Sequence, residues 1–324
     1  MKVLLTGVAG FIGMHTAHAL LDAGHTVLGI DNLNDYYPVA LKLARLDTLR
    51  RREGFYFRQL DIADGAGFQA LQAHERCEAV VHLAAQAGVR HSLMAPERYV
   101  QSNLVGFANL LETCRQTPVQ HLLYASSSSV YGNGTALPYH EDADTDHPLS
   151  LYAASKKANE AMAHAYAHLY GLPCSGLRFF TVYGPWGRPD MAPWLFTEAM
   201  LKGEPIHIYN HGQLQRDFTY IADVVAGIVR LLPLPPEPVA GSPPWRVLNI
   251  GNHQSVPLLE MIATLERLTG REAIKEWLPM QAGDVRATCA DSSALTKLTG
   301  YAPATPLAEG LAHFVAWYRE YHGL

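Results

Sequence analysis

The sequence predicts an α/β protein: a doubly wound parallel sheet of Rossmann type followed by a smaller C-terminal α/β domain. Two observations carry this expectation. In the N-terminal half, short apolar runs without polar alternation are separated by longer amphipathic stretches. That is the pattern of parallel strands covered on both faces by helices. The first of these runs leads straight into a glycine-spaced turn that opens a helical pattern, the usual entry of such a sheet.

Taken in order, the runs at 3–6, 26–30, 79–83 and 121–125 read as buried strands, each too short for a helix. The stretch 11–23 reads as an amphipathic helix between the first two. After about Thr181 the pattern loosens, prolines and aromatics appear, and the elements shorten. The proline-rich segment 232–245 reads as a surface excursion. Residues 246–251 then read as one more buried strand, returning to the first domain. The expected boundaries are 1–180 for the first domain, with that returning strand, and 181–324 for the second. There is no internal repeat.

A chain of 324 residues suits two domains at about 150 residues each. Its 48% hydrophobic and 17% charged residues exclude a disordered protein. The formal net charge of −5 argues against a nucleic-acid or membrane-surface partner. No apolar run approaches a membrane span. The first residues enter the glycine turn directly, unlike a signal peptide. The expectation is a soluble, cytoplasmic protein. Cys77, Cys114, Cys174 and Cys289 are scattered without a CxxC pair and read as free thiols. His164 and His168 lie one helical turn apart, but no third ligand accompanies them, so no metal is expected.

The glycine turn is Gly7-Val8-Ala9-Gly10-Phe11-Ile12-Gly13. Its first glycine permits the tight turn, its second the approach of a pyrophosphate, and its third close helix–strand packing. Phosphates then sit on the helix N-terminus, where N–H groups and the dipole favour anions. Asp31, with Asn32 beside it, ends the second strand. A carboxylate there suits ribose hydroxyls and repels a 2′-phosphate, which favours NAD over NADP. A plain glycine-rich turn with a capping Asp is the bland alternative.

Further along, Tyr152-Ala153-Ala154-Ser155-Lys156 puts a phenol and an ammonium one helical turn apart. The ammonium favours the phenolate. Upstream, the run at 121–125 leads into Ser126-Ser127-Ser128-Ser129-Val130-Tyr131-Gly132. Hydroxyls at the carboxyl end of a parallel strand lie where ligands bind in such sheets. Alone, each feature is also compatible with an exposed helix face or a polar loop. Together they suggest a hydroxyl, phenol and ammonium triad.

This combination resembles the extended short-chain dehydrogenase/reductase family of nucleotide-sugar epimerases, dehydratases and decarboxylases, over essentially the whole chain. The resemblance implies that Tyr152 is the general base and that Lys156 tunes it while holding the nicotinamide ribose. It places the hydroxyl partner on Ser127. It also implies that Asp61-Ile62 contact adenine and that Asn103 sits behind the active site. Four stretches are similar to the UDP-glucuronate 4-epimerase branch: residues 31–37, residues 84–90 with Ala84, Ala85 and Arg90, residues 177–191, and residues 215–221.

Related dehydratases carry an Asp-Glu pair, and related decarboxylases a Glu, where this chain has Ser128-Ser129. That leaves redox inversion as the simplest reaction. The resemblance therefore implies 4-epimerisation of a UDP-hexuronic acid through a 4-keto intermediate, with NAD regenerated. A neutral or N-acetylated UDP-sugar, or decarboxylation, are the alternatives. A retired enzyme fold is a further one, against which the intact triad argues. Arg90, Arg188, Arg216 and Arg286 stand in motif positions suited to the anionic substrate. By resemblance Arg216 and Arg286 hold the diphosphate and Arg188 lies near the nucleotide sugar. Taken singly, an arginine reads as a surface salt bridge. Tyr209 either stacks on uracil or is a buried aromatic. Ser128, Ser129 and Thr181 can hold the carboxylate by hydrogen bonding. The family analogy also implies a homodimer.

Overall fold

The structure is a computed structural model, and it describes residues 1–239 and 241–324. The first apolar runs form β1 (Lys2–Thr6) and β2 (Thr26–Asp31), joined by the helix Phe11–Asp22. The pattern continues through β3 (Phe55–Gln59), β4 (Ala79–His82), β5 (His121–Ser127) and β6 (Cys174–Phe179). With β10 (Trp245–Ile250) these make a seven-stranded sheet in the order β10-β6-β5-β4-β1-β2-β3. The pairs β4–β1, β1–β2, β2–β3 and β4–β5 are all parallel. The expected doubly wound parallel sheet is present, and the run at 246–251 lies in it as its edge strand.

The order reverses beside β1. Thus β1 runs out toward β2 and β3, while β4, β5 and β6 build away on the other side. Ligands of such sheets bind at that switch, outside the carboxyl ends of the strands. The core on one face gathers Leu4, Leu28, Val80, Phe107, Leu110 and Leu122, none more than 1% exposed. Each such side chain contributes on the order of 1.5–3 kcal/mol by leaving water.

Two strands of this sheet have no counterpart among the sequence expectations. In β3 every residue is at least partly exposed, because it is the sheet edge. Its aromatic run Phe55-Tyr56-Phe57 lacks the uniform apolar character that marks an interior strand. In β6 every residue is buried, yet it carries Ser175 and Arg178, which interrupt the apolar run. The proline-rich stretch is largely exposed from Pro233 to Val239, and Ala240 within it lies outside the described residues.

By contact density the chain forms two compact units. One comprises Met1–Asn133, Ala143–Arg178 and Val225–Leu248, and the other comprises Gly134–Asp142, Phe179–Val224 and Asn249–Leu324. The second unit holds a three-stranded sheet in which β9 (Gln215–Tyr220) lies between β7 (Thr181–Tyr183) and β11 (Ser255–Pro257). It also holds the parallel pair β8 (Pro205–Ile208) and β12 (Ile274–Trp277). Its helix Leu307–His322 packs aromatics against Trp186 and Trp194, with Trp186–Trp317 centroids at 5.2 Å and Trp194–Tyr318 at 5.2 Å. Among the described residues no helix is long and apolar enough to cross a membrane, and no cluster of metal-ligating side chains occurs.

In the first unit, β6 is tied to the helix Leu151–Tyr170 by a buried ion pair. Arg178 Nε and Nη2 each donate to a Glu160 carboxylate oxygen at 2.8 Å, and both side chains are almost fully buried. Removing one charge of such a pair leaves the other buried and uncompensated. We expect Glu160→Gln to lose about 3–5 kcal/mol of stability, and the double variant Glu160→Leu/Arg178→Met to lose less than Glu160→Gln alone. Urea unfolding measures both, and a Glu160→Gln midpoint equal to wild type refutes the expectation.

Candidate active site

The glycine turn is built so tightly that side chains are excluded from it. Gly7 has φ +73° and packs on the backbone of Ala84, where a Cβ would lie 2.7 Å from the amide nitrogen. At Gly13 a Cβ would meet the Gly7 carbonyl oxygen at 2.1 Å. The helix Phe11–Asp22 therefore starts close against β1, with Phe11 and Gly13 buried and Ile12 half-buried. Gly10 is its N-cap and no side chain caps that end. A helix start with no side-chain cap is suited to phosphate oxygens.

Asp31 is buried at the end of β2. Its Oδ2 accepts the Ala9 N–H at 3.1 Å and its Oδ1 the Leu33 N–H at 2.8 Å. Burial pushes its carboxyl up, and the Leu33 bond, the charge of Lys42 and the Ala9 bond oppose that. A carboxylate oxygen has two lone-pair sites, so both keep capacity for a ribose hydroxyl. Next to it, Asn32 donates to Asp61 Oδ2 at 2.9 Å, while Asp61 Oδ1 accepts the Ala63 N–H. Ile62 is buried against Gly106. Ala84 donates its N–H to Thr6 Oγ1 at 3.1 Å, and Ala85 follows it half-buried. The glycine turn, the open helix start and an acidic acceptor thus fit a dinucleotide.

The helix Leu151–Tyr170 starts at Ser150, whose side chain accepts the Ala153 N–H. Its inward face is unusually polar, with Ser155, Lys156, Asn159 and Glu160 all buried. Lys156 Nζ donates to the Ala125 carbonyl at 2.9 Å, and Ser126 Oγ donates to Glu160 Oε1 at 2.6 Å. These two bonds fix the end of β5, where Ser127 follows. The Ser127 hydroxyl accepts the Ser129 N–H at 3.2 Å and donates to Ser129 Oγ at 3.1 Å. Ser128 and Ser129 are half-buried. Tyr152, also half-buried, has its ring edge-on to Tyr99 at 6.2 Å.

Asn103 lies in the π-helical turn Val100–Val105. It donates to Ser155 Oγ and to the Gln86 carbonyl, both at 3.0 Å, while its own carbonyl accepts from Asn159 Nδ2 at 2.6 Å. Such turns leave backbone carbonyls available for partners and occur often at functional sites. Asn103 is therefore bonded to the helix that carries Tyr152 and Lys156, and to the loop after β4.

Arg90 is exposed at the end of that loop. The remaining candidates belong to the second unit. Thr181 opens β7, opposite Phe218 of β9. On β9, Arg216 donates to Asp284 Oδ1 at 2.6 Å and to the Arg286 carbonyl at 3.2 Å, so the structure brings the Arg216 and Arg286 segments together. Arg188 forms a two-pronged ion pair with Asp190 of its own loop, at 3.0 and 2.5 Å. Tyr209 is half-buried in a short turn, its ring 6.5 Å from that of His207.

Comparison with known proteins agrees with this geometry. Residues 3–251 match the model of the NAD dependent epimerase/dehydratase family. The chain belongs to that family. It is 46% identical over 330 residues to a probable UDP-glucuronate 4-epimerase of Rhizobium meliloti, covering 98% of this chain and 97% of that one. It is also 46% identical to UDP-glucuronate 4-epimerase 3 of Arabidopsis thaliana, over 99% of this chain and 77% of the relative. Among solved structures it is similar to the UDP-glucuronic acid 4-epimerase of Bacillus cereus in complex with UDP-glucuronic acid and NAD. That likeness has a TM-score of 0.91 and 35% identity, over 99% of this chain and 100% of the other.

Within this family frame, several groups at the site escaped sequence reading. Arg45 is fully buried and donates to the Ala9 carbonyl at 3.1 Å and to Tyr37 Oη at 2.7 Å. The Ala9 peptide unit is thus held by a carboxylate at its N–H and a guanidinium at its C=O. Lys42, one turn earlier, is buried and donates to Asn34. In the sequence both look like ordinary charges on a basic helix. Burial alone distinguishes them. Likewise His82 at the end of β4 is held neutral, its pKa pushed down to about 3 by burial and then by the nearby charge of Lys156.

Burial also lowers Lys156 to about 8, with Glu160 opposing the shift. Its unfolded value is near 10.5, so the folded state disfavours the ammonium. The penalty is fully present below pH 8 and is relieved between about pH 8 and 10.5, where the unfolded chain binds more protons. Wild-type stability relative to Lys156→Met is therefore expected to rise as pH increases from 8 to 10. Thermal melting of both proteins across that range checks it, and parallel curves refute it.

Proposed function

We propose that this chain inverts C4 of a UDP-hexuronic acid, converting UDP-glucuronate to UDP-galacturonate with NAD as its bound cofactor. The carrying observation is the end of β5. Three hydroxyl residues, Ser127 to Ser129, stand there beside the helix of Tyr152 and Lys156, with no carboxylate between Ser126 and Gly132. The site supplies a general base and hydrogen-bond donors, but not the additional acid–base pair that elimination of water requires. A relative of nearly the same length bears the name probable UDP-glucuronate 4-epimerase, and a similar solved structure holds UDP-glucuronic acid and NAD.

Bound NAD would supply the hydride acceptor and donor for sugar C4. Tyr152, as phenolate, accepts the proton of the sugar 4-hydroxyl and later gives it back. Lys156 lowers the cost of that phenolate, and its own position is held by the Ala125 carbonyl. Ser127 hydrogen-bonds the oxygen as its carbonyl character develops. Gly7, Gly10 and Gly13, with Phe11 and Ile12, form the phosphate cradle. Asp31 and Asn32 hold the adenosine ribose, Asp61 and Ile62 flank adenine, and Ala84 and Ala85 line the loop between.

Arg216 and Arg286 anchor the substrate diphosphate, Arg90 and Arg188 contribute to anion binding, and Tyr209 stacks on the base. Anchoring the diphosphate lets the keto sugar turn and take the hydride on its other face. A 4-keto hexuronate is a β-keto acid and loses CO₂ readily. Ser128, Ser129 and Thr181 hold its carboxylate away from the geometry that permits this.

Purified protein incubated with UDP-glucuronate is expected to yield UDP-galacturonate, resolved by chromatography and mass spectrometry. Tyr152→Phe should still bind the nucleotide sugar and lose turnover by about a hundredfold or more. Ser128→Ala and Thr181→Ala should release a UDP-pentose by-product. A wild-type protein that ignores UDP-glucuronate and converts UDP-glucose instead would move the reading to the neutral sugars.

The same reading includes a homodimer, formed by pairing the helices Gly106–Gln116 and Leu151–Tyr170 with their copies across a two-fold axis. Leu169 and Tyr170 at the end of the second helix are 66% and 53% exposed, as an unpaired apolar edge would be. Sedimentation at micromolar concentration should give twice the 35.6 kDa chain mass, and a monomer there refutes the dimer.

A further inference from the structure

The loop between β4 and the short helix His91–Met94 carries both cofactor candidates, Ala84 and Ala85, and a substrate candidate, Arg90. It has no strand partner, so its peptide groups need partners from elsewhere. Three successive residues find them on a single short segment. The Gln86 N–H donates to Asn103 Oδ1 at 2.8 Å and the Gln86 carbonyl accepts from Asn103 Nδ2 at 3.0 Å. The Tyr99 hydroxyl lies 2.8 Å from the Ala87 carbonyl and 2.6 Å from the Gly88 carbonyl. A phenol has one proton, so it is shared between two acceptors that have one donor in common.

Tyr99 is fully buried, and its ring stands edge-on to that of Tyr152 at 6.2 Å and near His91 at 6.0 Å. Asn103, one helical turn later, bonds Ser155 on the helix of Tyr152. The segment from Tyr99 to Asn103 therefore touches the loop on one side and that helix on the other.

We propose that Tyr99 is a positioning residue: its hydroxyl fixes the loop at Ala87 and Gly88 relative to the helix of Tyr152, and so places Arg90 for an anionic group of the nucleotide sugar. The part concerning Arg90 rests on the proposed function. The part concerning the loop stands without it. Tyr99 itself does not touch the reacting atoms. Its ring keeps the contact with Tyr152 when the hydroxyl is lost, so the two roles separate cleanly in Tyr99→Phe.

The test compares wild type, Tyr99→Phe, Arg90→Ala and the double variant. In Tyr99→Phe the amides of residues 87–90 should exchange hydrogen faster, on the order of tenfold, while those of 153–160 stay unchanged. The KM for UDP-glucuronate should rise roughly three- to tenfold with kcat within about twofold, as expected when a modest hydrogen bond that orders a binding loop is lost. In the Arg90→Ala background the same substitution should add no further rise. Unchanged exchange at 87–90 overturns the proposal, as does an unchanged KM, or a KM rise of equal size when Arg90 is already absent. If wild type fails to act on UDP-glucuronate, the proposed function is lost, and the exchange result then decides the loop inference alone.

Discussion

One side of the helix Leu151–Tyr170 buries four polar side chains in succession, and the requirement that each be satisfied organises the first unit. An unpaired polar group in that setting costs on the order of 1–3 kcal/mol, and an unpaired charge more. Ser155 and Asn159 are answered by Asn103, Lys156 by the Ala125 carbonyl, and Glu160 by Ser126 and Arg178. Those partners sit on the π-helical turn, on β5 and on β6. The helix therefore cannot slide or rotate without breaking several bonds at once, and Tyr152 inherits that rigidity. The general base proposed for Tyr152 has to be held to within a fraction of an ångström of its working position, which is what a fully engaged supporting layer provides.

The same burial sets the electrostatics. Lys156 lies between an anion one turn further along, Glu160, and a histidine kept neutral on β4. Burial weakens the ammonium while Glu160 supports it. His82 contributes by staying uncharged: its Nδ1 is 2.8 Å from Thr6 Oγ1, which also accepts the Ala84 N–H. A second cation there would oppose Lys156 directly. For an inversion that returns both hydride and proton, the proposed mechanism asks only for reversible tuning of one phenol. No stronger acid or base is needed.

The second unit solves a different problem with the same means. Asp217 is fully buried beside Arg216, and its oxygens accept from Asn252 at 2.7 Å, Thr219 at 3.1 Å and Ala290 at 2.9 Å. This carboxylate joins β9 to two segments distant in sequence. Arg216 is thereby fixed on its strand, while its guanidinium reaches the Asp284–Arg286 stretch. Alternation along a strand explains the division of labour, with Asp217 pointing into the unit and its neighbour away from it.

The sequence by itself determined the parts whose chemistry is local. Gly7, Gly10 and Gly13 are legible because a tight turn against a strand admits nothing larger. Asp31 is legible because it ends a strand at a known distance from that turn. Tyr152 and Lys156 are legible because one helical turn fixes their spacing. Interior strands with uniform apolar runs were equally plain. Tertiary structure decided the rest. Strands β3 and β6 escape a pattern reading because one is a half-exposed edge and the other carries a buried arginine. Glu160, Arg178, Arg45 and Tyr99 carry no local signal of their role. Glu160 and Arg178 are 18 residues apart, Arg45 reaches 36 residues back to Ala9 and Tyr99 12 back to Ala87, and a charge or phenol at a given position looks the same whether it faces water or a buried carbonyl. Only packing removes the water, and the removal of water is what makes the hydrogen bonds of those side chains obligatory.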